Sequence, residues 1–101
     1  MTAPPQSLRV PVPQADIDVS ALLVRPANAE SMLVMAHGAG ADMHHTFMQH
    51  MASGLATHGV ATLRFQFPYA ERGKKQVDRT PIAHAAVRAA VSLAREEAGD
   101  L

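Results

Sequence analysis

The stretch LVMAHGAGADMHH, residues 33–45, breaks an apolar run with a histidine and two spaced glycines, then adds an aspartate and two more histidines. Three chemistries use residues of these types. A dinucleotide site needs Gly-x-Gly-x-x-Gly at a helix start and an acid ending the next strand. Gly38 and Gly40 fit, but Met43 takes the third glycine's place and the next apolar run ends in Gln66-Phe67. A Walker loop fails more completely, because Gly73-Lys74 has Pro68 at the leading glycine and Lys75 after the lysine. A metal centre would gather His37, Asp42, His44 and His45. Adjacent histidines on a helix diverge by roughly 100° and share an ion poorly, so histidines at a helix start are the better reading and no metal is expected. The third chemistry is an oxyanion hole, which needs backbone N–H donors where charge develops on a carbonyl oxygen, with small residues that let substrate approach. His37-Gly38-Ala39-Gly40 has that make-up.

Such a loop must be held by neighbouring elements. Leu8, Val10 and Val12 alternate with Arg9 and Pro11, the pattern of a half-buried strand, and Pro11 and Pro13 place it at a sheet edge. Ile17, Val19, Ala21 and Leu23 alternate again after a turn, giving an antiparallel hairpin. Residues 32–36 are apolar without alternation, as in a parallel strand covered on both faces. A helix follows, with Met48, Met51, Ala52 and Leu55 on one face and Gly59 to end it. Residues 60–67 form the next strand, and 68–80 a polar loop. Thr80 as N-cap and Pro81 as first helical residue then start a last helix. Its buried stripe is Ile82, Ala85, Ala86, Ala89, Ala90 and Leu93; its wet face is His84, Arg88, Ser92, Arg95 and Glu96. The expected spans are thus strands at about 8–12, 17–24, 31–36 and 60–67 and helices at about 44–58 and 81–98, after a disordered lead-in over 1–7. Helices between strands of this kind give right-handed crossovers and a parallel sheet. The last helix has no following strand, so residues 8–101 read as one incomplete α/β domain.

Composition narrows the function classes. Nine basic residues balance nine acidic ones, which argues against nucleic acid or an anionic membrane as partner. The absence of cysteine excludes thiolate catalysis, disulfides and Cys-ligated zinc. No run has the length or apolarity of a signal peptide or membrane span, and a cytoplasmic location is expected.

With its helix and the later VATLRFQFPYAERGKK, the His-Gly-x-Gly stretch resembles the α/β-hydrolase superfamily. More narrowly it is similar to the dienelactone-hydrolase-like group, in which one strand ends in His-Gly-x-Gly and the next in a Phe-Pro-Tyr loop with basic residues. The resemblance runs from about Met32 to the end. It implies the N-terminal part of an α/β-hydrolase fold: an antiparallel hairpin followed by β-α-β-α with a parallel sheet. It implies an ester, lactone or similar acyl bond as substrate, with Ala39 as oxyanion donor and Gly40 as a second donor or a packing glycine. His37 and Gly38 then shape the turn, and His37 bonds loop backbone and is not the catalytic base. No cofactor is implied.

The Ser nucleophile of such enzymes sits in Gly-x-Ser-x-Gly. Ser7, Ser20, Ser31, Ser53 and Ser92 all lack glycine two residues away on both sides, so nucleophile, acid and base are expected downstream. Tyr69 and Arg72 are candidates for the substrate pocket, against the plainer alternative of a solvated loop; Phe65 and Phe67 belong to the pocket wall or the core. The alternative function is a non-catalytic hydrolase-fold module that binds a protein partner. In the superfamily's sheet order the second hairpin strand pairs with the 60–67 strand, and that one with the 32–36 strand. Met32, Leu33, Val34, Met35 and Ala36 would then form an open apolar edge, suited to self-association or to a strand donated by another chain.

Overall fold

The computed structural model describes residues 4–99 and 101. Four strands form one mixed sheet in the order β1-β2-β4-β3, from β1 (Gln6–Val12), β2 (Ile17–Val24), β3 (Ser31–Ala36) and β4 (Val60–Phe65). The hairpin register sets Val10 opposite Val19 and Val12 opposite Ile17, and β2 pairs antiparallel with β4. β3 and β4 run parallel, with Leu33 beside Thr62 and Ala36 beside Phe65. β1 has only β2 as neighbour, so Pro11 withholds no hydrogen bond that the sheet needs. A 3-10 turn, Pro13–Ala15, joins the two strands, and Asp16 closes it in the left-handed region at φ 54°.

Of the expected lead-in, residues 1–3 lie outside the described residues, and Gln6 and Ser7 already pair with Leu23 and Leu22. The sheet order is the one that the hydrolase resemblance implies.

Helix α1 (Thr46–Ala56) packs against β4 and β2, and helix α3 (Thr80–Ala98) covers the opposite face against β1, β3 and β4. Alternation along β4 sends Ala61, Leu63 and Phe65 toward α3, and Thr62 and Arg64 toward α1. The α3 side holds the apolar core: Val10, Val12, Val19, Ala21, Leu23, Leu63 and Phe65 meet Ala85, Ala86, Ala90 and Ala94. Alanine faces let helix and sheet approach closely while keeping high helix propensity.

Several local expectations change. α1 buries Met48, Ala52 and Ala56, while Met51 stays 39% exposed, because it lies on the flank toward the β3 edge. In α3 the deepest residues are Ala85, Ala86, Ala90 and Ala94, with Ile82, Ala89 and Leu93 at the margins of the stripe. The capping residue of α3 is Arg79, not Thr80, since the Arg79 carbonyl accepts the first bonds, from Ile82 and Ala83 N–H. Residues 68–80 are not all loop: Pro68–Glu71 form a one-turn helix, α2, with Pro68 presetting the first helical φ. β4 ends at Phe65, earlier than residue 67, because the Phe67 N–H leaves the ladder for a side chain of the glycine loop.

Candidate functional site

The glycine loop lies at the carboxyl end of β3, beside the 66–69 segment at the carboxyl end of β4, the end at which open α/β sheets hold ligands. His37 is buried, and its Nε2 accepts the Phe67 N–H at 3.0 Å. An imidazole nitrogen that accepts carries no proton, so the neutral ring must bear its hydrogen on Nδ1. That Nδ1–H donates to the Gly38 carbonyl at 3.0 Å. Both nitrogens are therefore engaged with backbone, and His37 has no free lone pair for proton abstraction.

Residues 38–41 form a tight turn, closed by the Ala41 N–H donating to Gly38 O at 3.1 Å. Gly40 has φ +78° at the third position, a region that disfavours any side chain. The Tyr69 hydroxyl tightens the turn from above. It accepts the Gly40 N–H at 3.3 Å and donates to Gly38 O at 3.4 Å. The expected role of Gly40 as a second donor gives way here, because its N–H is already taken. The Ala39 N–H has no hydrogen-bond partner among the described residues. No atom lies within 4 Å of a Cβ built at Gly38, so the space over the turn is open.

Next to Ala39 is a cavity of about 240 Å³, lined by His37, Ala39, Phe67, Tyr69, Val77, Asp78 and Ala83. The Phe67 ring meets His37 edge-on at 5.0 Å and Phe65 at 5.2 Å, so Phe67 joins core to cavity wall while Phe65 lies fully in the core. Asp78 accepts the Tyr69 N–H at 3.1 Å and so ties the loop after α2 to the aromatic wall. Arg72 is not part of this cavity. It reaches the other way, donating to Ala15 O at 2.5 Å on the hairpin turn, and Val77 and Asp78 take the place it was expected to fill.

Two residues outside any recognisable motif, Arg64 and Gln66, anchor the loop's far end. Met43 donates its N–H to Gln66 Oε1 at 2.8 Å, and its carbonyl accepts from Arg64 Nη1 at 3.3 Å. The available signal was the alternation in RFQF, where two polar side chains share one face of a buried strand. Arg64 is only 3% exposed, and burial alone pushes its guanidinium below the usual arginine range. Asp42 and His45 serve as local caps, Asp42 Oδ1 accepting the His44 N–H at 2.8 Å and His45 Nδ1 accepting the Phe47 N–H at 3.2 Å. Among the described residues no three metal-binding side chains converge.

A family model described as an alpha/beta hydrolase domain matches residues 29–100. The chain belongs to the α/β-hydrolase family. No curated protein sequence matches this α/β hydrolase. Its structure is similar to that of a dienelactone hydrolase from Anabaena variabilis, with TM-score 0.73 and 20% identity over 92% of this chain and 46% of that one. An α/β serine hydrolase without lid from Xanthomonas campestris gives TM-score 0.69 and 17% identity, covering 93% and 45% of the two chains. An α/β serine hydrolase homologue from Coxiella burnetii gives 0.65 and 19%, covering 96% and 47%. At these identities the likeness is one of fold. This chain spans less than half the length of each of the three. The fold it matches is the N-terminal part of an α/β hydrolase.

Proposed function

We propose that this α/β-hydrolase chain supplies one half of an oxyanion hole for a serine-type hydrolase acting on an ester, lactone or similar acyl bond. The observation that carries this reading is the unengaged Ala39 N–H, fixed by a turn with three donors on Gly38 O and bordering an apolar cavity. When a serine oxygen attacks the acyl carbon, the carbonyl π electrons move onto oxygen. A preorganised N–H stabilises that charge without rearranging. The aromatic wall of Phe67 and Tyr69 shelters the acyl group. His37 holds the turn, and the nucleophile, acid and base come from outside these residues. Ser20 illustrates why: its hydroxyl and N–H are bound by Glu71 and Arg9, and no histidine hydrogen-bonds it among the described residues.

The test uses a protein that carries this segment together with an intact nucleophile elbow. Gly40→Val forces a branched side chain into positive φ and displaces the neighbouring N–H, so turnover should fall about 10²-fold with the fold retained. Unchanged turnover would remove the oxyanion role. Separately, the 101-residue chain alone should not cleave a p-nitrophenyl ester above background. Cleavage abolished by replacing one of its own serines would overturn the assignment of the nucleophile.

A second reading, a hydrolase-fold module that binds a protein partner, draws on the β3 edge. Leu33 is 45% exposed there and Phe47 of α1 is 64% exposed.

A further inference from the structure

Under α1, on the flank away from the glycine loop's cavity, lies a groove of about 450 Å³ lined by Pro4, Pro5, Leu22, Val24, Arg64 and residues of α1 and its approach. Arg64 points into it from β4. Among the described residues its side chain makes one hydrogen bond, the long one from Nη1 to Met43 O, and its buried Nε has no partner. Among the described residues the only ion pair is Arg9 with Glu71, and no carboxylate among them pairs with this guanidinium. A carbonyl is a poor substitute for a counter-ion, and a buried cation left unpaired is destabilising. The α1 wall offers the Gln49 amide, the Ser53 hydroxyl and the His44 ring, none of them bonded to protein among the described residues.

The groove is also separate from the apolar edge of the sheet. Successive helical residues turn by about 100°, which puts Gln49 and Ser53 on the opposite flank of α1 from Phe47 and Met51. A chain docking along β3 would cover Phe47 and Met51 and leave the groove beside Arg64 uncovered.

We infer that this groove binds a small oxyanion, a carboxylate or phosphate, with Arg64 as its cationic base and Gln49 and Ser53 as flanking donors. Guanidinium suits such anions because its N–H groups form a planar fork. The mixed polar and apolar lining favours an anion carried on a small body over a bare ion.

The experiment follows the Arg64 Nε–Hε signal and the Gln49 and Ser53 amides of the full chain by NMR, while sodium phosphate or sodium acetate is added at constant ionic strength. A saturating shift, common to all three signals and absent with chloride, is the expected result. Saturation by phosphate only or by acetate only identifies which anion the site takes. Shifts that merely track chloride, or no shift with either anion, would overturn the inference. Gln49→Leu and Ser53→Val lie on the exposed helix surface and should each weaken binding by about tenfold. Unaltered affinity in both variants would also overturn it. Arg64→Met should abolish saturation; if that variant does not fold, the two helix-surface variants still decide.

Discussion

The two faces of the sheet are built from different materials. Toward α3, side chains are apolar: Leu63 and Phe65 are at most 1% exposed and belong to the hydrophobic core. Toward α1, the neighbouring positions are Thr62 and Arg64 of the same strand and Gln66 just beyond it, and two buried polar atoms there, Thr62 Oγ1 and Arg64 Nε, have no partner among the described residues. The larger apolar core thus lies on one face. The other gives up part of its packing to hold the glycine loop through Gln66 and Arg64.

The largest contrast should appear on the dry face. Phe65→Ala should cost about 3–5 kcal/mol, measured by urea unfolding, because the ring is enclosed and the hole cannot collapse fully. A loss under 1 kcal/mol would mean that the α3 face is not the main source of stability. Next in size is the roughly 10²-fold fall in turnover for Gly40→Val, which should leave the urea midpoint much less affected than Phe65→Ala does. An equal loss of stability would merge the two faces into one cooperative role.

A third test concerns the β3 edge, where apolar side chains from both faces reach open space. The isolated chain should self-associate at micromolar concentration in sedimentation, and Leu33→Lys should weaken that association by about tenfold, as charges do on natural edges. A monomeric parent chain would show that the edge needs no cover. The smallest effect belongs to the wet face. Thr62→Val removes a buried hydroxyl that has no partner among the described residues, at nearly constant shape, and should raise stability by about 1 kcal/mol. Destabilisation would indicate a bound water or ligand on Thr62 Oγ1.

Much of the dry face was legible in the sequence, because periodicity records burial directly. Val10, Val12, Val19, Ala21, Ala85, Ala86 and Ala90 are read from spacing alone. The glycine loop was legible as a motif. What occupies its amides was not, because Gly40 meets Tyr69 across 29 residues. Arg72 misled for the same reason: its partner Ala15 lies 57 residues earlier, on a hairpin turn that no local pattern connects to α2. The first turn of α3 shows a smaller kind of error, in which Thr80 has the right chemistry for a cap but the Arg79 carbonyl begins the hydrogen-bond series. Arg64 and Gln66 broke the apolar run visibly, yet their common target, Met43, appears only when β4 is laid beside the start of α1.

The clamp on Met43 has a further consequence for how this region can change over generations. The glycine loop is pinned at both ends to β4 and the segment that follows it, through His37 and the Phe67 N–H on one side and through both backbone groups of Met43 on the other. Its tip is an interchangeable insert in a fixed frame. Ala39 and Ala41 contribute backbone to the turn, so their side chains are free to vary and retune what the neighbouring cavity accepts. At position 43 any residue except proline can keep the N–H bond to Gln66. Variation should therefore be unevenly tolerated, generous at the tip and narrow at Gly40, His37, Arg64 and Gln66.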